Sequence, residues 1–168
     1  MSAVRVGLGF DVHPFAPDGD PQSRLVLGGV VIDAPRLAGH SDGDAVAHAV
    51  ADAVLGAAGM GDLGTRFPAS DPAHRDADSF AFLRTIAAEL AAAGWGVVNV
   101  DVVIAAEQPR LAPHIDAMRA NVAEALAAAV PADADGVAVS VKPKRGEGLG
   151  AIGRAEGIAV WAVALLQR

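Results

Sequence analysis

The chain has 168 residues and a formal net charge of −7, and it is 52% hydrophobic but only 4% aromatic. That length suits one domain with its own core, and that apolar content excludes a disordered chain. With 13 basic residues against 20 acids, nucleic acid is not an expected partner, because phosphate backbones need a basic footprint and single strands need aromatic stacking surfaces. Cysteine is absent. Any metal must therefore be held by histidine and carboxylate, and the lack of disulfides fits a cytoplasmic location. Residues 1–10 carry no signal-peptide pattern, and the longest apolar run, residues 157–166, is too short to span a bilayer, so no membrane is expected.

Residues 4–12 alternate Val4, Val6, Leu8, Phe10 and Val12 with other residues, which is the period of a strand. Pro14, Pro17, Gly19 and Pro21 mark a turn. Residues 25–32 read as a second strand, interrupted at Gly28–Gly29 by a bulge or bend. The first two strands are expected to pair as a hairpin. A loop rich in Gly, Ser and Asp follows at residues 37–44. Residues 45–58 then form a helix with Val46, Ala49, Ala53 and Ala57 on one face, capped by Asp42 or Asp44. Residues 59–77 are a loop long enough to suggest function, with room for a helical turn.

A second helix is predicted over residues 79–93, capped by Asp78 or Ser79 and ended by Gly94. Residues 97–105 form a valine-rich strand. Residues 113–130 form a third helix opening on Pro113. Residues 137–141 are a short strand, and residues 142–153 a polar, glycine-rich loop. Residues 157–166 alternate as a final strand, with a helix as the rival reading because Ala and Leu favour it. The order ββααβαββ predicts an α/β fold of the α+β type, a mixed β-sheet with helices packed on one face, in a single domain over residues 1–168. Three helices leave one sheet face uncovered, and that face is expected to meet another subunit.

Asp11-Val12-His13 places a carboxylate and an imidazole on one side of the first strand, since residues i and i+2 share a face. The alternative is a polar strand end at a turn. His48 lies on the first helix with Asp44 and Asp52 at i−4 and i+4. A lone histidine among Ala and Val is normally a core residue with one hydrogen bond. Asp11, His13 and His48 taken together form a His₂-carboxylate set, which with one open position describes a catalytic zinc site. Asp44 or Asp52 would then orient the His48 ring. The helix start at residues 40–45 offers amides and a positive dipole end for phosphate, or is simply a capping loop.

Residues 142–154 hold four basic side chains among glycines, suited to an anion, and Glu147 there suits a hard cation. The plain alternative is a solvated basic loop, and the segment lacks the Gly-Lys-Ser/Thr ending of a Walker A loop. Gly61-Asp62-Leu63-Gly64 and Phe67-Pro68-Ala69-Ser70-Asp71-Pro72 suit polyol recognition or turn formation. Gln108-Pro109-Arg110-Leu111-Ala112-Pro113 reads a base edge or simply turns from strand to helix. His74 and His114 receive no role.

In this order these segments resemble the 2-C-methyl-D-erythritol 2,4-cyclodiphosphate synthase family of the non-mevalonate isoprenoid pathway. The resemblance rests on Gly9-Phe10-Asp11-Val12-His13, Leu27-Gly28-Gly29-Val30, His40-Ser41-Asp42-Gly43-Asp44 through His48, Gly61 to Gly64, Phe67-Pro68, Asp71-Pro72, Pro113-His114-Ile115 and Gly153-Arg154-Ala155-Glu156-Gly157-Ile158. It implies a homotrimer with the three sheets facing a central axis and active sites between neighbours. It implies Zn²⁺ or another divalent transition metal on Asp11, His13 and His48, and Mg²⁺ or Mn²⁺ on Glu147. It implies phosphate contacts from His40 and Ser41, with Asp11 and His13 among the substrate-binding residues as well. The methylerythritol unit would be held by Asp62, Leu63, Gly64, Phe67, Pro68, Ala69, Ser70 and Asp71. Ala106, Glu107, Gln108, Pro109, Arg110, Leu111 and Ala112 would hold cytosine.

The chain departs from the family where three threonines usually precede the glutamate. Here they are Lys144, Arg145 and Gly146. His40 and Arg145 are the implied catalytic contacts, with Arg145 offering a guanidinium where the middle threonine offers a hydroxyl. Arg154 is expected near the trimer axis, where Ala151 replaces the family's aromatic residue, and Ala69 replaces a frequent Asp. The implied reaction releases CMP from 4-diphosphocytidyl-2-C-methyl-D-erythritol 2-phosphate as its 2-phosphate attacks its β-phosphate. The alternatives are a zinc-dependent phosphohydrolase and a non-catalytic trimer that binds CMP and metal.

Overall fold

The structure is a computed structural model that describes residues 3–17, 24–39, 41–68, 70–71, 74 and 77–168. Strand β1 (Val4–Pro14) is followed by β2 (Leu25–Leu27) and β3 (Val30–Ile32), then by helices α1 (Ala45–Ala58), α2 (Leu63–Arg66) and α3 (Ser79–Ala92). Strand β4 (Gly96–Ala105), helix α4 (Ile115–Ala125), strand β5 (Ala138–Lys144), helix α5 (Gly150–Gly153) and strand β6 (Gly157–Gln167) complete the chain. Gly19 and Pro21, expected in a turn, lie outside the described residues.

The main sheet has the order β1-β6-β4-β5. β6 is antiparallel to both β1 and β4, and β4 is parallel to β5, so the sheet is mixed as predicted. The last segment is a strand, not the rival helix. The expected hairpin of the first two strands is not formed. β1 pairs with β6 at the far end of the chain, while β2 and β3 pair with each other. Gly28 and Gly29, at φ 60° and 70°, make the tight turn between them. Two successive left-handed residues match the twist of a two-residue hairpin and leave glycine unstrained. The predicted bulge is therefore a turn.

Helix α1 begins where predicted because Asp44 caps it, accepting from the amides of Val46 and Ala47 at 3.0 and 3.1 Å. The same buried carboxylate accepts from Gly28 and Gly29 at 2.9 and 2.7 Å, which docks the β2–β3 turn onto the helix start. Of the amides expected to meet phosphate there, those of Asp42, Gly43 and Asp44 already bond the Ala77 carbonyl, the Ser41 hydroxyl and the Asp42 carboxylate. The third predicted helix is broken: 3₁₀ turns at Ala112–His114 and Ala127–Ala129 flank α4. Val130 is extended ahead of Pro131, as the clash with a following proline ring requires. The strand expected to end at residue 141 runs on to Lys144, and part of the loop after it is α5.

Helix α1 lies across β1, β6 and β4, α4 covers β5, and α3 packs on α1 and α4. The core is correspondingly aliphatic, built from α1 alanines and valines with Val100, Val102, Ile104, Val160 and Leu166 from the sheet. α1 sits unusually close to β1. A Cβ on Gly7 or Gly9 would fall onto the carbonyl oxygens of Ala53 and Ala49 and would lie 2.6 and 2.8 Å from the amide nitrogens of Ala57 and Ala53. The sheet's other face is open, and Val6 and Leu8 on it are 65% and 66% exposed. No helix among the described residues is long and apolar enough to cross a membrane.

Candidate metal centre

Gly7, Gly9, Asp11 and His13 share the face of β1 that looks at α1. With glycine at the first two positions, the backbone comes close enough for Asp11 and His13 to reach His48 on α1. The three side chains are the one group of His and carboxylate among the described residues whose ligand atoms converge closely enough to hold a metal ion. Asp11 Oδ2 lies 2.9 Å from His13 Nε2 and 3.0 Å from His48 Nδ1.

The protons on these rings follow from their outer contacts. His13 Nδ1 is 2.7 Å from the carbonyl oxygen of Ala38, which can only accept, so Nδ1 carries the proton. His13 Nε2 is buried and makes no hydrogen bond among the described residues, despite its closeness to Asp11. His48 Nε2 lies 2.9 Å from Ser79 Oγ and 3.2 Å from Ser41 Oγ. With its proton on Nδ1, neutral His13 turns the Nε2 lone pair toward the Asp11 oxygen, a contact that a cation or a second ring proton would relieve. The donor set fits a divalent transition metal. Burial opposes the charge on Asp11, but the two imidazoles outweigh it and hold the carboxyl at about 2. Asp11 raises the His13 pKa, against the opposing effect of burial.

Neither Asp44 nor Asp52 orients His48. Asp44 is occupied with capping, and Asp52 accepts the Leu63 amide at 2.7 Å. Asp52 thereby ties the start of α2 to α1. A cavity of about 200 Å³ opens beside the cluster, lined by His13, Ser41 and His48 and by Leu63, Gly64 and Phe67. His74 and Phe82 complete its wall: Phe67 stacks on Phe82 at 4.4 Å, and His74 meets both rings edge-on. Sequence reasoning left His74 without a role and passed over Phe82, and no local pattern marks either. Asp62 caps α2 through Thr65, the turn-forming alternative. Pro68, Ser70 and Asp71 are not among the lining residues. His40 and Ala69 lie outside the described residues.

Between Asp78 and Ser79, which the sequence left open as the cap of α3, the structure chooses the first. Asp78 caps α3, accepting the Phe80 amide at 2.9 Å, and leaves the Ser79 hydroxyl to point inward, 2% exposed. Two cap-type residues in succession, of which a helix needs one, were the available signal.

A second pocket, about 690 Å³, is formed by residues 106–112 with Pro143, Lys144 and Arg145. The strand-to-helix segment and the basic loop are thus brought together as one wall. Arg145 is bound to Glu107, with Nε 3.0 Å from Oε1 and Nη2 on the same oxygen. Glu107 also accepts the Gly146 amide at 3.1 Å. Gly146 lies against Gly153, whose Cα would be 2.7 Å from an added Cβ, so a threonine does not fit this loop path. Glu147 is exposed and outside the His-carboxylate cluster. Arg154 pairs with Glu156, and Ala151 is exposed on α5.

The two pockets occupy the same end of the sheet but opposite edges. His13 on β1 pairs with Ile158, while Lys144 on β5 pairs with Ala105 and Ala105 with Ala159. Three strand spacings separate β1 from β5, roughly 14 Å.

Comparison with known proteins finds relatives that match nearly the whole chain. The chain is 50% identical over 165 residues to the bifunctional enzyme IspD/IspF of Anaeromyxobacter dehalogenans, covering 98% of this chain but 40% of that protein. It therefore spans less than half the length of that relative. It is 49% identical over 165 residues to the 2-C-methyl-D-erythritol 2,4-cyclodiphosphate synthase of Bordetella petrii, covering 98% of this chain and 96% of that one. Among solved structures it resembles the CDP complex of IspF from Plasmodium falciparum, with a TM-score of 0.79 at 32% identity, covering 98% of this chain and 96% of that one. The YgbB family pattern matches residues 4–167, from the first strand through the metal cluster to the last strand, and the chain belongs to that family.

Proposed function

We propose that this chain is a 2-C-methyl-D-erythritol 2,4-cyclodiphosphate synthase, acting as a single domain over residues 1–168 in a homotrimer. Its substrate is 4-diphosphocytidyl-2-C-methyl-D-erythritol 2-phosphate. An oxygen of the 2-phosphate attacks the β-phosphorus, the bond from that phosphorus to the bridging oxygen breaks, and CMP leaves with that oxygen. The ring closes as the 2,4-cyclodiphosphate. The nucleophile belongs to the substrate, so the protein supplies position and charge neutralisation. One observation carries the reading: three acceptor atoms converge at Asp11, His13 and His48 in a chain 49% identical to a synthase of that name.

Asp11, His13 and His48 hold Zn²⁺, and a second cation, Mg²⁺ or Mn²⁺, sits on Glu147. Bound there, the two cations would polarise the diphosphate and offset its charge. A lone carboxylate suits magnesium, which takes most of its ligands from water and phosphate. His40 and Ser41 contact phosphate, and Lys144 and Arg145 add positive charge. The polyol lies among residues 62–64 and 67–71, a placement supported by Leu63, Gly64 and Phe67 beside the cluster. Cytosine lies in the pocket of residues 106–112, supported by its size and by the CDP bound to the Plasmodium falciparum relative.

The two pockets at opposite sheet edges favour sites shared between subunits, so that one chain's metal cluster faces a neighbour's nucleotide pocket. The open face with Val6, Leu8, Phe10, Trp161 and Val163 favours a trimer with its sheets around the axis, where Ala151 and Arg154 lie near the axial cavity. The absence of cysteine favours a cytoplasmic enzyme.

Purified protein given substrate, Zn²⁺ and Mg²⁺ should release CMP and the cyclic diphosphate. Inorganic phosphate in place of the cyclic product would identify a phosphohydrolase instead. The tie between Arg145 and Glu107 favours a second reading, a trimer that binds CMP and metal without turnover. CMP binding with no product release would establish it.

A further inference from the structure

We infer that Ser79, backed by Asp42, is a positioning residue that fixes the tautomer of His48 and thereby selects Nδ1 as the nitrogen offered to a cation. This rests on reading Asp11, His13 and His48 as a metal site. The protons available to these groups decide it. The Ser79 hydroxyl has one, and Asp42 Oδ1 lies 2.5 Å from it. Asp42 is an acceptor throughout: Oδ1 also takes the Asp44 amide at 3.1 Å, and Oδ2 the Ser79 amide at 3.2 Å. The hydroxyl proton therefore goes to Asp42, and the oxygen is left to accept. Its partner is His48 Nε2, at 2.9 Å, which must then carry the proton.

Ser41 leaves this assignment intact. Its hydroxyl is 3.2 Å from both His48 Nε2 and Ser79 Oγ, and it accepts the Gly43 amide. It can donate to Ser79 Oγ while sharing the imidazole proton. With Nε2 protonated, His48 Nδ1, which lies 3.0 Å from Asp11 Oδ2, keeps its lone pair for a cation. The Ala38 carbonyl fixes His13 in the opposite sense, leaving Nε2 available. The site therefore offers one Nδ1 and one Nε2. Each ring is held by an outer partner, and the one behind His48 is a hydroxyl joined to a carboxylate. Such partners orient the ring and raise its basicity. The start of α3 and the loop at residues 41–44 thus reach the metal through His48.

The test compares the full-length wild type with Ser79→Ala, Asp42→Asn and Ser79→Thr, each stripped of metal. Zn²⁺ affinity is measured by competition with a chromophoric chelator, and Co²⁺ by its visible absorption. The tautomer of His48 is read from nitrogen-15 imidazole spectra at mildly alkaline pH. Wild type should show His48 protonated on Nε2. Ser79→Ala should show mixed tautomers and bind Zn²⁺ about 10–100-fold more weakly, the usual effect of losing such a partner. Asp42→Asn should weaken binding in the same direction, and it carries the test should Ser79→Ala not fold. Ser79→Thr, which restores the hydroxyl, should recover most of the affinity. A structural role alone would move folding but not the tautomer.

Unchanged Zn²⁺ affinity in folded Ser79→Ala overturns the inference, as does a wild-type His48 protonated on Nδ1. A wild type that binds neither Zn²⁺ nor Co²⁺ overturns the metal site itself, and this role with it.

Discussion

At Asp11, a proton and a metal ion compete for the same place. The carboxyl stays ionised across the useful pH range because the imidazoles hold it at about 2 despite burial. Asp11 raises the His13 pKa, so His13 keeps its proton to higher pH than a free imidazole. A cation must displace that proton. Zn²⁺ affinity should therefore climb with pH until the raised His13 pKa is passed and then level off. An affinity that does not change with pH across neutrality would contradict this. His48→Ala should abolish Zn²⁺ binding and CMP release together, and retained zinc would remove His48 from the ligand set. Arg145 is a separate case, since Glu107 already neutralises its charge. If it contacts phosphate during turnover, Arg145→Ala should lower kcat/KM about ten- to a hundredfold, the effect of losing a hydrogen bond to a charged group. An unchanged kcat/KM would leave the pair a structural tie. That Asp11 and His13 share a side was legible in the sequence, because strand parity alone puts them there. Ser79 was not, because its role depends on which of two adjacent capping residues does the capping.

The element that sets the site is α1, through its first residues. Asp44 joins the helix start to the β2–β3 turn with four amide hydrogen bonds. Burial raises its pKa, and the amides act against that. Asp44→Ala would lose a helix cap and strand two amides, at a cost of roughly 3 kcal/mol. The thermal midpoint should fall by several degrees, with Asp44→Asn recovering part of the loss; a change within error would show that water replaces the carboxylate. The helices were legible from apolar spacing and cap residues. Strand partners were not, because β1 and β6 pair across nearly the whole chain and no short-range pattern encodes that. The break after α4 was hidden by a run of alanines with high helix propensity, which Pro131 overrides from outside the run.

For the whole molecule, the decisive feature is the open sheet face. If that face forms the proposed trimer, Leu8→Glu with Val163→Glu should leave monomers in sedimentation experiments, since burying both charges is costly. Zn²⁺ binding should survive, because all three ligands come from one chain, while CMP release should fall steeply. A trimer that persists would place the interface elsewhere. That one face lacked cover was legible from the count of helices. That the pockets divide between opposite edges was not, because it depends on strand order. Gly7 and Gly9 belong to the same global picture. The gap between sheet and helix is set there by backbone meeting backbone, with no side chain to adjust. In a saturation mutagenesis map, these two positions should therefore show the signature usually read as catalysis: every replacement inactivates, conservative ones included. The ligands themselves would be flanked by residues that never touch metal or substrate yet score as harshly. For this chain, mutational intolerance along β1 reports how close two backbones lie, and only metal titration of each variant separates that from chemistry.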